Sequence, residues 1–152
     1  MIVVPHTGVI DESLEGEEEL LMRARLHVRA SKQRLSRGQR RDAIAAMYDA
    51  IASAMLRYVI SDSSDDKLRI QYGEDLSNDS VLFNILKRSN VLDGTITPED
   101  FDYIEHVLDE ALENDVVSYN ESRFMEIATN LLTQLQIIPF DENILPETSI
   151  SP

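Results

Sequence analysis

Arg23 and His27 lie four residues apart in a stretch with helical periodicity, so their side chains project from one face. An arginine beside a histidine is a workable pair for cleaving a phosphodiester, the guanidinium stabilising developing charge while the imidazole moves a proton. Arg34 and Arg41 are placed to reach the same side of a helical hairpin. The simpler reading, which we adopt, makes His27 a polar surface residue in a basic stripe. His6 and His106 are isolated. There is no i,i+4 histidine pair, no HExxH and no ExxH, and the adjacent Glu105 and His106 cannot converge from one helix, so neither a metal nor another cofactor is expected. The string SDSSDD at 61–66 lacks the spacing, glycine and terminal glutamate of a calcium loop. Glycines at 8, 16, 38, 73 and 94 are too scattered to cradle a phosphate, and no GxSxG elbow exists. With no cysteine, thiol catalysis, zinc ribbons, iron–sulfur clusters and disulfides are excluded. With no Trp, four Phe and five Tyr, platforms for stacking bases are sparse.

Charge is unevenly placed along the 152 residues. The total is 14 Lys and Arg against 28 Asp and Glu, a net charge of −14. Residues 11–19 hold six acids and no base, whereas residues 20–41 hold eight bases and no acid. Outside that block six bases face 28 acids, a net of −22. The overall field repels nucleic acid and anionic membranes, yet the basic block has two uses. It can pair with acidic surfaces of its own chain or of a second copy, or it can receive phosphates or an acidic partner through Arg25, Arg29, Lys32, Arg34 and Arg41. Internal pairing is the favoured reading, because carboxylates are abundant.

These residues must be carried by helices. Leu21, Ala24, Val28, Ser31 and Leu35 follow the steps of one buried helical face, in a helix running from about 13 or 17 to 36. Gly38 breaks it. Residues 41–60 form an Ala-rich second helix, in which Ala43, Ala46, Ala50 and Ala54 allow a close helix–helix approach in a core or oligomer interface, and Tyr48 is partly buried with its hydroxyl paired. Residues 62–77 read as a connection and 78–89 as a short helix. Thr97, Pro98 and Asp100 spell a helix start for 98–113, whose seven acids make it a candidate partner for the basic first helix. Ser118 and Glu121 repeat the box spacing before a last helix reaching about 137, stopped by Pro139. The fold class is an all-α up-and-down bundle of four or five helices. Residues 1–16 are an acidic N-terminal segment, 17–138 one bundle domain and 139–152 a tail of low intrinsic order, docked through Phe140 or Ile144. No basic leader and no run of about 18 apolar residues is present, so a soluble cytoplasmic protein with no membrane association is expected.

Residues 20–59 resemble the first two helices of the HEPN superfamily, through the spaced Ala24 and Ala30, the short turn at Gly38, and Ala43, Ala46, Tyr48, Ala50 and Ala54 on the second helix. The resemblance implies a dimerising bundle of four or five helices in a family that includes metal-independent ribonucleases and partners of nucleotidyltransferases in toxin–antitoxin pairs. Nuclease members carry an Arg followed four to six residues later by His, late in the bundle. Here Arg123 is the only Arg after residue 90 and no His follows it, while Arg23 and His27 stand on the first helix with three residues between. The expected function is therefore a non-catalytic oligomerising or partner-binding module, a homodimer with a possible protein partner. The alternative is a ribonuclease or RNA-binding domain that uses the basic helix.

Overall fold

A computed structural model describes residues 16–61, 68–114 and 119–146. Five helices follow in order: α1 (Glu17–Ser36), α2 (Arg40–Ile60), α3 (Asp79–Arg88), α4 (Pro98–Glu113) and α5 (Glu121–Gln134), with a short 3-10 turn at Glu142–Ile144 and no strand among the described residues. The fold is the all-α up-and-down bundle that helical periodicity implies.

The α1–α2 hairpin is its most extensive packing. Glu17, Glu18 and Glu19 occupy the first turn of α1, where the exposed amide groups favour negative charge. The helix closes in a Schellman turn, Gly38 N–H donating to Leu35 O at 3.1 Å and Gln39 N–H to Arg34 O at 2.9 Å. Gly38 takes φ 76°, a conformation costly for any residue with a Cβ. Ala43, Ala46, Ala50 and Ala54 are buried in α2, and the Ser31 hydroxyl donates to Ala43 O at 2.7 Å. At the other end Arg57 of α2 pairs with Glu17 of α1 at 2.9 Å.

The main core lies between α2 and the later helices. Phe83 of α3 and Phe101 of α4 stack with centroids 4.6 Å apart, and Ile51, Met55, Ile104 and Leu131 are fully buried around them. Helix α4 packs on α2 and α5. The acidic helix is thus not the principal partner of basic α1, contrary to the expectation from charge alone: its apolar face, carrying Phe101, Ile104, Val107 and Ala111, decides where it sits. Helix α2 is long and apolar enough to cross a membrane by length and composition, although no such run was expected. Its apolar side chains are packed largely inside the bundle.

The start of α4 is as the sequence implies: Thr97 accepts from Asp100 N–H at 3.1 Å and Asp100 accepts from Thr97 N–H at 3.0 Å. The start of α5 differs. Ser118 lies outside the described residues, and Asn120 is the cap, accepting from Arg123 N–H at 3.0 Å. The end of α5 differs too. Gln136 adopts φ 65° and Ile137 N–H bonds Leu132 O at 2.9 Å, so a Schellman turn, not Pro139, ends the helix after Gln134 and sends fully buried Ile137 into the core. The strand-like alternation at Leu68, Ile70 and Tyr72 forms no strand. Arg88 instead ties this connection down, bonding Arg69 O and pairing with Glu74 at 2.6 Å.

The capping box generates a stability prediction. Thr97→Ala removes one partner of a reciprocal pair and should cost about 1 kcal/mol in urea unfolding at neutral pH. Asp100 is held below the ordinary carboxylate range by the Thr97 backbone amide, the Thr97 hydroxyl and Arg123. Its contribution is therefore present above the unfolded-state pKa and lost as pH falls through the lower folded value, so the difference between wild type and Thr97→Ala should shrink in acid.

Candidate functional site

The eight bases of the first block do not share one task. Arg25, Arg29 and Lys32 recur at steps of four and three, one stripe along α1, and all three meet the segment that follows α5. Arg25 Nε donates to Ile137 O at 3.0 Å and its guanidinium lies 5.4 Å from the Phe140 ring centroid. Arg29 Nη2 donates to Pro146 O at 2.5 Å, and Lys32 Nζ stands 3.9 Å from Glu142. Residues 137–146 thus lie along α1 as a strap, docked through half-buried Phe140, while Ile144 remains 68% exposed. Beneath it is an apolar recess of about 300 Å³ lined by Val28, Met47, Leu132, Ile138 and Phe140.

The chemistry of these contacts is unusual for a basic helix. Two guanidiniums each donate to a neutral carbonyl oxygen, which takes up one hydrogen bond without cancelling the charge. Arg25 is lowered from the ordinary arginine value, first by burial and then by the Arg57 charge. Arg34 and Arg41 stand apart from this stripe. Arg34 reaches Asp42 O at 3.5 Å and Arg41 reaches Leu112 O at 3.3 Å, a cation against the carbonyl end of α4. The structure therefore groups three of the five predicted partner-binding residues and separates two.

Arg23 and His27 do share a site, with His27 on its buried side. His27 is 3% exposed, which corrects its reading as a surface residue: α1 is covered on more than one side, and the His27 position faces inward with Ala24 and Ser31. Arg23 pairs with Glu19 at 2.8 Å. Both line a half-open cavity of about 340 Å³ between α1, α2 and the start of α3, together with Asp49, Ser53, Ser77 and Asp79. Asp79 is fixed from behind, its Oδ2 accepting from the Tyr48 hydroxyl at 3.0 Å. Tyr48 also reaches Glu105 at 3.4 Å, and Glu105 accepts from Ser80 at 3.3 Å. Tyr48 is thus buried with its hydroxyl paired, and its acidity is suppressed by burial and by these carboxylates. Glu105 is raised above the usual carboxylate range by burial, against the opposing hydrogen bonds from Ser80 and Tyr48.

Sequence reasoning missed Asp49, Asp79 and Glu105. Asp49 gave no distinct signal, since it is exposed on α2 as an acid on the solvent side of a helix is, and Asp79 and Glu105 reach their partners only through the tertiary fold. The alanine stripe is internal: Ala43, Ala46, Ala50 and Ala54 are each at most 3% exposed, so a second copy cannot reach them while the hairpin is closed. Among the described residues no three His, Asp or Glu side chains form a group able to hold a metal. Comparison with known protein families, curated proteins and solved structures returned no match.

The cavity acids make a pH prediction. Asp49 is exposed, yet desolvation by the surrounding chain, then Asp79, push its carboxyl above the ordinary range, against the weaker opposing influence of Arg23 and Arg34. A raised folded value means the ionised form is disfavoured by folding, so stability gained from the protonated form is lost as pH rises through that value. Asp49→Asn should therefore raise Tm at pH 7, with the gain vanishing below the pKa of an unfolded aspartate, as followed by circular dichroism melts across pH.

Proposed function

We propose that this chain is a non-catalytic partner-binding module, whose recognition surface is the groove of α1 that holds the C-terminal strap. The observation that carries this reading is the grip of Arg25 and Arg29 on the backbone carbonyls of Ile137 and Pro146, with Phe140 set beside Arg25. Backbone carbonyls and one aromatic anchor are what any extended peptide offers, so the groove is chemically suited to such a segment. The strap of a second copy has the same chemistry as the one already seated. Exchange of straps between two copies is the simplest form of the expected homodimer, and a foreign segment with an aromatic residue and flanking acids is the heterologous version.

The ribonuclease alternative is less well supported. The Arg23–His27 cavity presents two carboxylates, Asp49 and Asp79, where a phosphodiester would have to enter, and Arg23 is already paired with Glu19. Like charges in that position oppose substrate binding.

A triple charge reversal in the full chain, Arg25→Glu with Arg29→Glu and Lys32→Glu, should change assembly or the recovery of bound proteins, because it removes the contacts that seat either the chain's own strap or an incoming segment. Light scattering across a concentration series, with affinity recovery of bound proteins in parallel, measures this. Unchanged mass together with unchanged recovery would sink the reading. Retention of RNA by the wild type at low salt, lost on adding salt and on changing His27, would favour the alternative instead.

A further inference from the structure

Close-packed proteins leave few voids wider than one water, so the recess beneath the strap calls for a reason. Its volume is about 300 Å³, roughly ten times the share of one water in the liquid. The lining is mostly apolar. Val28, Met47 and Leu132, each at most 2% exposed, form the floor, and half-buried Met125, Ile138 and Phe140 form the walls. Water gains little from such surfaces, because each ordered molecule needs about two to four polar partners. The two methionines are unbranched and adjust readily to a chain laid against them.

The edge of the recess is cationic. Arg25, Arg29 and Lys32 run along it as the α1 stripe, and the two arginines donate to the neutral carbonyls of Ile137 and Pro146, which leaves their charge in place. The buried Nε of Arg29 has no acceptor among the described residues. Two acids stand on the strap. Asp141 is occupied in capping the 3-10 turn, accepting from Asn143 N–H at 2.9 Å. Glu142 is the acid that lines the recess, and it meets Lys32 at 3.9 Å, close enough for an ion pair but beyond hydrogen-bond reach. Both side chains are about half exposed, so the pair contributes little and is easily exchanged. The chain thus brings Lys32 a carboxylate of its own without seating it. A carboxylate from outside, carried on an acyl chain, can bond Lys32 directly while the chain covers the apolar lining, two gains that Glu142 does not make. An ammonium in the same place would face the cationic stripe, and a neutral apolar molecule would gain nothing from Lys32.

We infer that the recess beneath the strap binds a small amphiphilic carboxylate, with its acyl chain against Met47, Met125 and Phe140 and its carboxylate on Lys32. The volume lies at the lower end of ligand pockets, which restricts the ligand to a short chain. The seated strap is one wall of this site and no second copy is needed, so the inference goes beyond partner binding in the groove and does not rest on it.

Octanoate, octanol and octylammonium share one chain length and differ in charge. Octanoate titrated into the isotopically labelled full chain should give saturating shifts clustered at Lys32, Met47, Met125, Leu132 and Phe140. Octanol should bind about threefold more weakly, the worth of one half-exposed charge pair, and octylammonium about tenfold more weakly, since attraction becomes repulsion. Lys32→Gln should bring octanoate down to the affinity of octanol. Glu142→Gln, which removes the competing carboxylate, should tighten octanoate by about twofold and leave octanol unchanged, a split that a merely structural Glu142 would not give. Thr129→Phe, at an exposed position of the lining, should fill the recess and abolish the shifts. Octanol or octylammonium binding as tightly as octanoate, shifts spread evenly over the surface, or undiminished octanoate binding by Lys32→Gln or by Thr129→Phe would each overturn the assignment.

Discussion

The close approach of α1 and α2 is the constraint on which the other features rest. Alanines at 43, 46, 50 and 54 leave no side-chain bulk on one side of α2, and Ser31 crosses the gap to bond Ala43 O at 2.7 Å. Such a bond is made only when the two backbones lie near each other, so a larger residue at any of these alanines would part the helices. Their approach sets the rotation of α1. With Ala24, Val28 and Ser31 turned inward, His27 is carried inside and Arg23 to the cavity lining, while Arg25, Arg29 and Lys32 are left on the strap side. One packing choice thus sorts a dense basic block into two sites with opposite surroundings.

That sorting changes what the charge asymmetry means. A block of eight bases in 22 residues, spread over α1, its C-cap and the first turn of α2, invites a search for eight acidic partners, and the acidic α4 was the natural candidate. Arg23 has Glu19 and Lys32 is near Glu142, whereas Arg25, Arg29, Arg34 and Arg41 are all seen donating to backbone carbonyls. A carbonyl satisfies the directional requirement of a guanidinium but leaves its monopole in place. The basic helix therefore keeps a positive field on its strap side, and the strap, which carries Asp141 and Glu142, sits in that field. Exposed pairs such as Lys32 and Glu142 add little individually, so it is the arginine–carbonyl bonds and Phe140 that fix the segment.

Helices were legible in the residues because their signals are local. The Thr97–Pro98–Asp100 start, the stop at Gly38 and the apolar steps of α4 and α5 each depend on a few neighbouring positions. What failed were features set by distant parts of the chain. Gln136 carries no sequence signal for a left-handed turn, because its conformation is imposed by Ile137 packing into the core and by the bond to Leu132 O. His27 was read as exposed because its neighbours Arg23, Arg25 and Arg29 are polar, yet Leu26, His27 and Ala30 are buried by parts of the chain that periodicity within α1 does not encode. The site was half legible: Arg23 and His27 were singled out together and do line one cavity. The acids opposite them come from positions 49 and 79, separated by 30 residues, and only the tertiary fold makes them neighbours.

The placement of Asp49 and Asp79 has one further physical consequence. Both carboxylates line one recess, and desolvation and then Asp79 raise the carboxyl of solvent-exposed Asp49, against Arg23 and Arg34. Tyr48 could have been relieved of its partners by a phenylalanine, which keeps the ring in the core and removes the need for Asp79 and Glu105 to accept from it. The retained hydroxyl does the opposite, anchoring Asp79 in the position where it disfavours the charge on Asp49.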